Sequence, residues 1–129
     1  MKIHHVGYLV KKIEKALPQF EKSGFVCEGE TVYDMNRDID ILFMVNDGYR
    51  IELVEPKSEK SVAWNLLKKA GPSPYHLCYV SNDIEADMDM LRNAGFIPMG
   101  EPLAAPAIEN KRVVFMYSRH LGILELCEE

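Results

Sequence analysis

The stretch HVGYLVKKIEKALPQFEKSGF, residues 5–25, is written a second time as HLCYVSNDIEADMDMLRNAGF, residues 76–96, at a constant shift of 71. Six positions of this ungapped window are identical: a histidine and a tyrosine near the start, an Ile-Glu pair in the middle, and a Gly-Phe pair at the end. A match of this length, at points that matter for structure, indicates that the chain is a tandem duplication.

Each copy predicts a strand followed by a helix. Apolar residues alternate at first and then recur at helical spacing, as at Ile13, Leu17 and Phe20, until a glycine suited to a helix C-terminus, Gly24. Runs rich in β-formers follow: FVCEGETVY, IDILFMV and YRIELVEP in the first half, and FIPMG, RVVFMYS and GILELCEE in the second. Each half therefore predicts a βαβββ module of an α+β fold.

The segment between the halves, KSEKSVAWNLLKKAGP, predicts a short connector helix. Ser61 can cap its start, and the pair Gly71-Pro72 can end it. We therefore expect a single domain over residues 1–129, with module 1 at about 1–56, the connector helix at about 58–71 and module 2 at about 74–129.

Composition narrows the classes of partner and compartment. A chain of 129 residues can bury a core without disulfides, and its three cysteines lack CxxC spacing, so we expect reduced and mostly buried thiols. The net charge of −5, with scattered basic residues, argues against nucleic acid and anionic membranes as partners. The sequence shows neither a run of membrane-spanning length nor a signal peptide, and a cytoplasmic protein is expected.

The duplication also predicts a metal site. His5 matches His76 at the shift of 71, and the segments RIELVE and ILELCE match Glu52 with Glu125 at a shift of 73. Two copies of one module tend to pair about a pseudo-twofold axis, so each of these residues would face its counterpart. Two imidazoles and two carboxylates at one point suit a divalent cation, and the ligand set alone does not choose among nickel, cobalt, manganese, iron and zinc. An ionised glutamate in an apolar strand also requires a partner of this kind.

The neighbouring histidine, His4, is expected to play a different part. Adjacent side chains of a strand point to opposite faces, so His4 and His5 should not share one cavity. Since the repeat selects His5, His4 is predicted to lie on the other face in a structural role.

These residues resemble the vicinal oxygen chelate superfamily, and within it the short branch that contains glyoxalase I-like and methylmalonyl-CoA epimerase-like proteins. The ligand pattern of that family matches His5 two residues before Gly7, Glu52 four residues before Pro56, His76 after the connector helix, and Glu125 in the final strand. The resemblance covers nearly the whole chain. It implies two βαβββ modules whose mixed sheets curl around a metal-binding cleft, with nickel or cobalt preferred and zinc, manganese or iron as alternatives.

The resemblance further implies proton transfer at a carbon next to a carbonyl. Glu125 is the predicted base and Glu52 the second member of the pair, with a bound metal stabilising the negative charge that forms. Two departures from the epimerase pattern, Tyr75 in place of a second histidine and the turn SRHLG before the last strand, weaken the coenzyme A interpretation. We therefore place glyoxalase I-type activity (lactoylglutathione lyase) first, methylmalonyl-CoA epimerase second, and a non-catalytic drug-binding protein third.

Two arginines are predicted to contact a thiol-adduct or thioester substrate. Arg50 lies two residues before Glu52, hence on the same strand face, although a solvated position at the strand's start fits equally well. Arg112 follows the long loop EPLAAPAIEN, where a basic residue is more often surface charge. The resemblance also implies a homodimer.

Overall fold

The computed structural model describes all 129 residues and confirms the α+β prediction: nine strands form one curled open sheet with three helices. In chain order the elements are β1 (Lys2–Leu9), α1 (Ile13–Lys22), β2 (Val26–Asp34), β3 (Ile39–Asn46), β4 (Tyr49–Pro56), α2 (Val62–Ala70), β5 (Ser73–Ser81), α3 (Ile84–Asn93), β6 (Ile97–Pro98), β7 (Leu103–Ala105), β8 (Lys111–Ser118) and β9 (Gly122–Glu128). None of the helices has the length and apolar character needed to cross a membrane.

The sheet order is β2-β3-β4-β1-β5-β9-β8-β6, and β7 pairs with β8. The two halves repeat one arrangement, since β1 pairs in parallel with β4, and β5 in parallel with β9. They meet where β1 and β5 pair antiparallel. In that pairing His5 lies opposite Cys78 and Gly7 lies opposite His76, and the shift of 71 exchanges these two pairs. A pseudo-twofold axis therefore passes between β1 and β5.

Strand alternation divides the core into layers. On the outer side of the sheet, α1 packs over Leu42, Met44 and Leu53, while α3 packs over an equivalent apolar patch of β8 and β9. The inner side carries a third cluster, to which α2 contributes Ala63. The residues on either side of the two glutamates belong to the outer clusters: Ile51 and Leu53 in β4, and Leu124 and Leu126 in β9. Alternation therefore brings Glu52 and Glu125 to the inner side.

The start of α1 depends on the neighbouring strand. Lys12 stands at the N-cap without a side-chain cap, and the amide of Ile13 instead donates to Oε1 of Glu55 on β4, at 2.8 Å. This carboxylate satisfies one of the unpaired amides with which every helix begins. The other two helices are capped locally, by Ser61 and Asp83.

The cysteines are free. Cys78 and Cys127 are buried in the inner cluster, and Cys27 is exposed.

Candidate metal centre

The four central strands each bring one predicted ligand to the same point on the inner side of the sheet: His5 from β1, Glu52 from β4, His76 from β5 and Glu125 from β9. Their exposed fractions are 1%, 3%, 4% and 4%. Two imidazoles and two carboxylates are thus removed from water together. We call these four residues the ligand cluster.

The distances within the ligand cluster are short and nearly uniform. The Nε2 atoms of the two histidines lie 3.2 Å apart. Nε2 of His5 lies 3.4 Å from Oε1 of Glu52 and 3.3 Å from Oε1 of Glu125. For His76 the corresponding distances are 3.7 Å and 3.5 Å. All four atoms therefore face one common centre.

This arrangement fits a divalent cation. Two ligand atoms held about 2.1 Å from one ion lie roughly 3.0–3.4 Å apart at octahedral or tetrahedral angles, close to the spacing observed. Oε1 of Glu125 is buried without a hydrogen-bond donor, although both histidine Nε2 atoms lie within 3.5 Å of it. A buried anionic oxygen in that position is costly unless a cation binds it. The cluster can accordingly hold a metal ion.

Electrostatics within the cluster are strong. Burial alone would lower the pKa of His5, but the carboxylates of Glu52 and Glu125 outweigh burial and raise it to about 10. Burial would raise the pKa of Glu125, yet the neighbouring imidazoles of His76 and His5 hold it well below its usual range. Without a cation a protonated His5 supplies positive charge beside the carboxylates, so a metal has to displace a proton from it when it binds.

The absence of a side chain at Gly7 leaves the space that the His76 ring occupies. A Cβ atom at residue 7 would lie 2.1 Å from Cε1 and 2.3 Å from Nδ1 of the His76 ring. The backbone of β1 and the imidazole are therefore in direct contact, and this glycine is required by close approach.

The predicted face of the His4 side chain is wrong. The register of β1 against β5 shifts between Ile3 and His5, leaving His4 as an extra residue in a β-bulge. Both histidine rings then contact the ring of Phe43, and Nδ1 of His4 lies 2.8 Å from Nδ1 of His5. Burial, and then the neighbouring His5, lower the pKa of His4 to about 4, so it is a neutral imidazole at pH 7.

The two predicted substrate arginines lie outside the ligand cluster. Arg50 is on the same face of β4 as Glu52, but its guanidinium pairs with Glu28 at 2.7 Å and donates to the carbonyl of His4 at 3.2 Å. Arg112 is on the outer face of β8, where it bonds to Glu128 at 2.6 Å and to Glu85 of α3 at 2.8 Å. Neither guanidinium faces the common centre.

A mostly apolar cavity of about 200 Å³ lies beside the cluster on the His76 side. Tyr75 and Phe115 line it, and both rings pack edge-on against the His76 ring, with centroids 4.4 Å and 5.2 Å away. Arg37 and Lys60 add basic charge to its lining. Burial, and then the carboxylates of the cluster, raise the pKa of Tyr75 well above its usual value, which keeps the phenol protonated.

Sequence reasoning did not identify His4 and Tyr75 as neighbours of the cluster. Both are bulge residues, since the register also shifts between Gly7 and Tyr8 and leaves Tyr75 without a partner. A signal was nonetheless present, because the shift of 71 that relates His5 to His76 also relates residue 4 to residue 75.

The fold and the ligand cluster together define a class of protein. Residues 4–115 match the Glyoxalase/Bleomycin resistance protein/Dioxygenase superfamily, and the chain belongs to this superfamily. The resemblance predicted from the sequence is thus confirmed.

Individual proteins of known sequence or structure give closer comparisons than the superfamily as a whole. The chain is 26% identical over 119 residues to an ethylmalonyl-CoA/methylmalonyl-CoA epimerase of Cereibacter sphaeroides, covering 92% of this chain and 89% of that protein. Among solved structures, a hypothetical protein of Bacillus halodurans superposes with a TM-score of 0.87 at 25% identity, covering 99% of this chain and 94% of the other. A methylmalonyl-CoA epimerase of Mycobacterium tuberculosis superposes with a TM-score of 0.85 at 24% identity, covering 98% and 87%, a likeness of fold.

These relatives correct the functional prediction. Glyoxalase I-type activity was placed first, whereas the curated relative is an epimerase of acyl-CoA thioesters, which is the activity placed second. The two departures at Tyr75 and at the turn before β9 were therefore given too much weight, because local differences in sequence do not outweigh a match along nine-tenths of the chain.

Proposed function

We propose that this protein is a divalent-metal-dependent epimerase of a coenzyme A thioester, with methylmalonyl-CoA as its substrate. The observation that carries the proposal is the buried ligand cluster beside an apolar cavity, in a chain similar over 92% of its length to an ethylmalonyl-CoA/methylmalonyl-CoA epimerase. The carbon between a thioester and a carboxylate bears an acidic proton, and epimerisation requires its removal from one face and its return to the other.

His5, Glu52, His76 and Glu125 would hold the ion, for which we propose nickel or cobalt. When bound, it supplies a Lewis acid that lowers the cost of negative charge on the substrate's oxygen atoms. The protein contributes a dry, fixed site, since all four ligand side chains are nearly inaccessible to water.

The two carboxylates suit proton transfer in both directions. Glu52 and Glu125 come from strands related by the pseudo-twofold axis, and Oε1 of each lies within 3.7 Å of both histidine Nε2 atoms. We assign Glu125 as the base for one enantiomer and Glu52 as the group that returns the proton, with the roles exchanged for the other enantiomer. Either carboxylate has to leave its place among the ligands to reach the substrate carbon.

The cavity size suggests which part of the substrate is enclosed. Sites that enclose a drug-sized ligand usually measure roughly 300–1,000 Å³, and this cavity is smaller, at about 200 Å³. It therefore suits the acyl group, with the nucleotide portion of coenzyme A outside it. Lys60 lines the cavity and offers positive charge to anionic groups of such a substrate, whereas the guanidinium of Arg37 is already paired with Asp34 at 2.7 Å.

Deuterium exchange tests the proposal directly. Cobalt-loaded protein is incubated with methylmalonyl-CoA in D₂O, and label at the acyl α-carbon is followed by NMR together with the ratio of the two epimers. We expect both label uptake and loss of optical purity. Free methylmalonate serves as the control for the thioester and should not exchange. Fully loaded protein that neither labels nor epimerises methylmalonyl-CoA would overturn the assignment.

A further inference from the structure

His4 contacts the ligand cluster through the ring of its neighbour. Nδ1 of His4 lies 2.8 Å from Nδ1 of His5, while Nε2 of His5 faces the other ligands. A neutral imidazole carries one proton on one of its two nitrogens. For Nε2 of His5 to offer its lone pair to a cation, the proton has to be on Nδ1, and Nδ1 of His4 is then the acceptor.

The backbone at His4 is held in the conformation that this contact requires. The bulge turns the His4 side chain to the same side as that of His5, against Phe43. Arg50 stabilises the bulge by donating a hydrogen bond to the carbonyl of His4 at 3.2 Å. Its guanidinium in turn donates to both carboxylate oxygens of Glu28, at 2.7 Å and 3.1 Å. The position of His4 is therefore determined by three strands.

The second half of the molecule provides the contrast. Its bulge residue, Tyr75, also packs edge-on against a ligand histidine. No hydrogen bond reaches Nδ1 of His76, which is buried without a partner. The ring of His76 is instead confined by direct contact with Gly7. Of the two ligand rings, only that of His5 has a hydrogen-bond partner at Nδ1.

We propose that His4 is a positioning residue for the metal site, which accepts a hydrogen bond from Nδ1 of His5 and thereby fixes the tautomer and the ring orientation of that ligand. Partners of this kind are usually carboxylates, carbonyls or water. Here a second imidazole, adjacent in sequence, takes the role. The inference rests on the proposed metal site but not on the identity of the substrate.

Two nearly isosteric substitutions test the proposal. In His4→Asn, Oδ1 can replace Nδ1 as the acceptor, whereas His4→Leu fills similar space without one. Cobalt affinity is measured by competition with a chelating dye, and the visible spectrum of the bound cobalt reports on its ligands. We expect His4→Leu to weaken binding about 10–100-fold and to change the spectrum. We expect His4→Asn to stay within about threefold of the wild type. His120→Ala, which removes an exposed imidazole outside the cluster, is the control and should bind as the wild type does.

Equal affinities for the Leu and Asn variants would overturn the proposal, because only bulk would then matter. If the His4→Leu variant does not fold, the zinc-loaded wild-type protein still tests the proposal. Nitrogen-15 NMR of its histidine rings should show His4 protonated on Nε2 alone, and a proton on its Nδ1 would overturn the proposal. Tight cobalt binding without epimerase activity would refute the proposed function and leave this inference standing.

Discussion

Replacing Gly7 with alanine should damage the metal site while leaving the fold in place. The added Cβ would lie 2.1 Å, 2.3 Å and 2.6 Å from Cε1, Nδ1 and Nε2 of the His76 ring. Ordinary contact begins at 3.4 Å, so the nearest ring atom has to retreat by about 1.3 Å, the difference of the two distances. Metal–ligand distances tolerate about 0.2 Å, so His76 is lost as a ligand.

The stability cost should be smaller than the loss of binding. Overpacking typically costs about 1–3 kcal/mol, which a domain of this size can absorb. Loss of a residue that hydrogen-bonds to a metal ligand weakens binding by up to about 100-fold. Loss of one of the four ligands themselves should weaken cobalt binding by at least that factor. Cobalt titration with a competing dye measures the second effect, and urea unfolding of the metal-free protein measures the first.

Val6→Ala is the matched control on the same strand. Val6 packs on the other side of the sheet against the α1 cluster, so its truncation should lower the free energy of unfolding by about 1–2 kcal/mol without changing cobalt affinity. Gly7→Ala protein that binds cobalt as tightly as the wild type would refute the reasoning, because the ring could then keep its position despite the added atom.

Three further predictions concern charge and metal. Glu125→Gln should lower the rate of α-proton exchange about 100–10,000-fold with cobalt still bound, and near-normal exchange would assign the base elsewhere. Glu55→Gln should cost about 1–2 kcal/mol at pH 7, measured by urea unfolding. Burial raises the pKa of Glu55, but its bonds to the amide of Ile13 and to Lys57 outweigh burial and lower it. The stability that the ionised Glu55 contributes is therefore complete above its ordinary pKa of 4.5 and is lost as the pH falls through its pKa in the folded protein. The difference in free energy of unfolding between the variant and the wild type should accordingly shrink in acid. Chelation should lower the free energy of unfolding by about 4 kcal/mol relative to protein in metal at roughly 1,000 times its Kd, and an unchanged stability would indicate that no ion binds the native state.

The fold and the ligand cluster were largely predictable because both follow from the duplication. Residues kept at equivalent positions, His5 with His76 and Glu52 with Glu125, face each other wherever two modules pair about an axis. The apolar flanks of the two glutamates indicated that each carboxylate needs a partner. Whether the four side chains act as ligands stays a prediction.

The surroundings of the cluster were not predictable in the same way. Strict alternation placed His4 on the wrong face, because a bulge adds one residue and reverses the direction of the side chain. Arg50 and Arg112 take partners 22 and 27 residues away, Glu28 on another strand and Glu85 on α3, and such long-range pairs depend on strand register and helix packing that the sequence does not state.

The two halves supply the same ligand residues but differ in the residues that contact each ligand histidine, and this difference makes the two sides of the site unequal. On the His5 side the bulge residue is a histidine bonded to the ligand ring, so that ring is held from behind. On the His76 side the bulge residue is Tyr75, which together with Phe115 forms the wall between the ligand ring and the cavity. A symmetric ligand set alone would offer a substrate two equivalent approaches. The cavity that these two rings line lies behind the second histidine. Under the proposed function the acyl group approaches from that side, and the rings of Tyr75 and Phe115 have to shift to admit it.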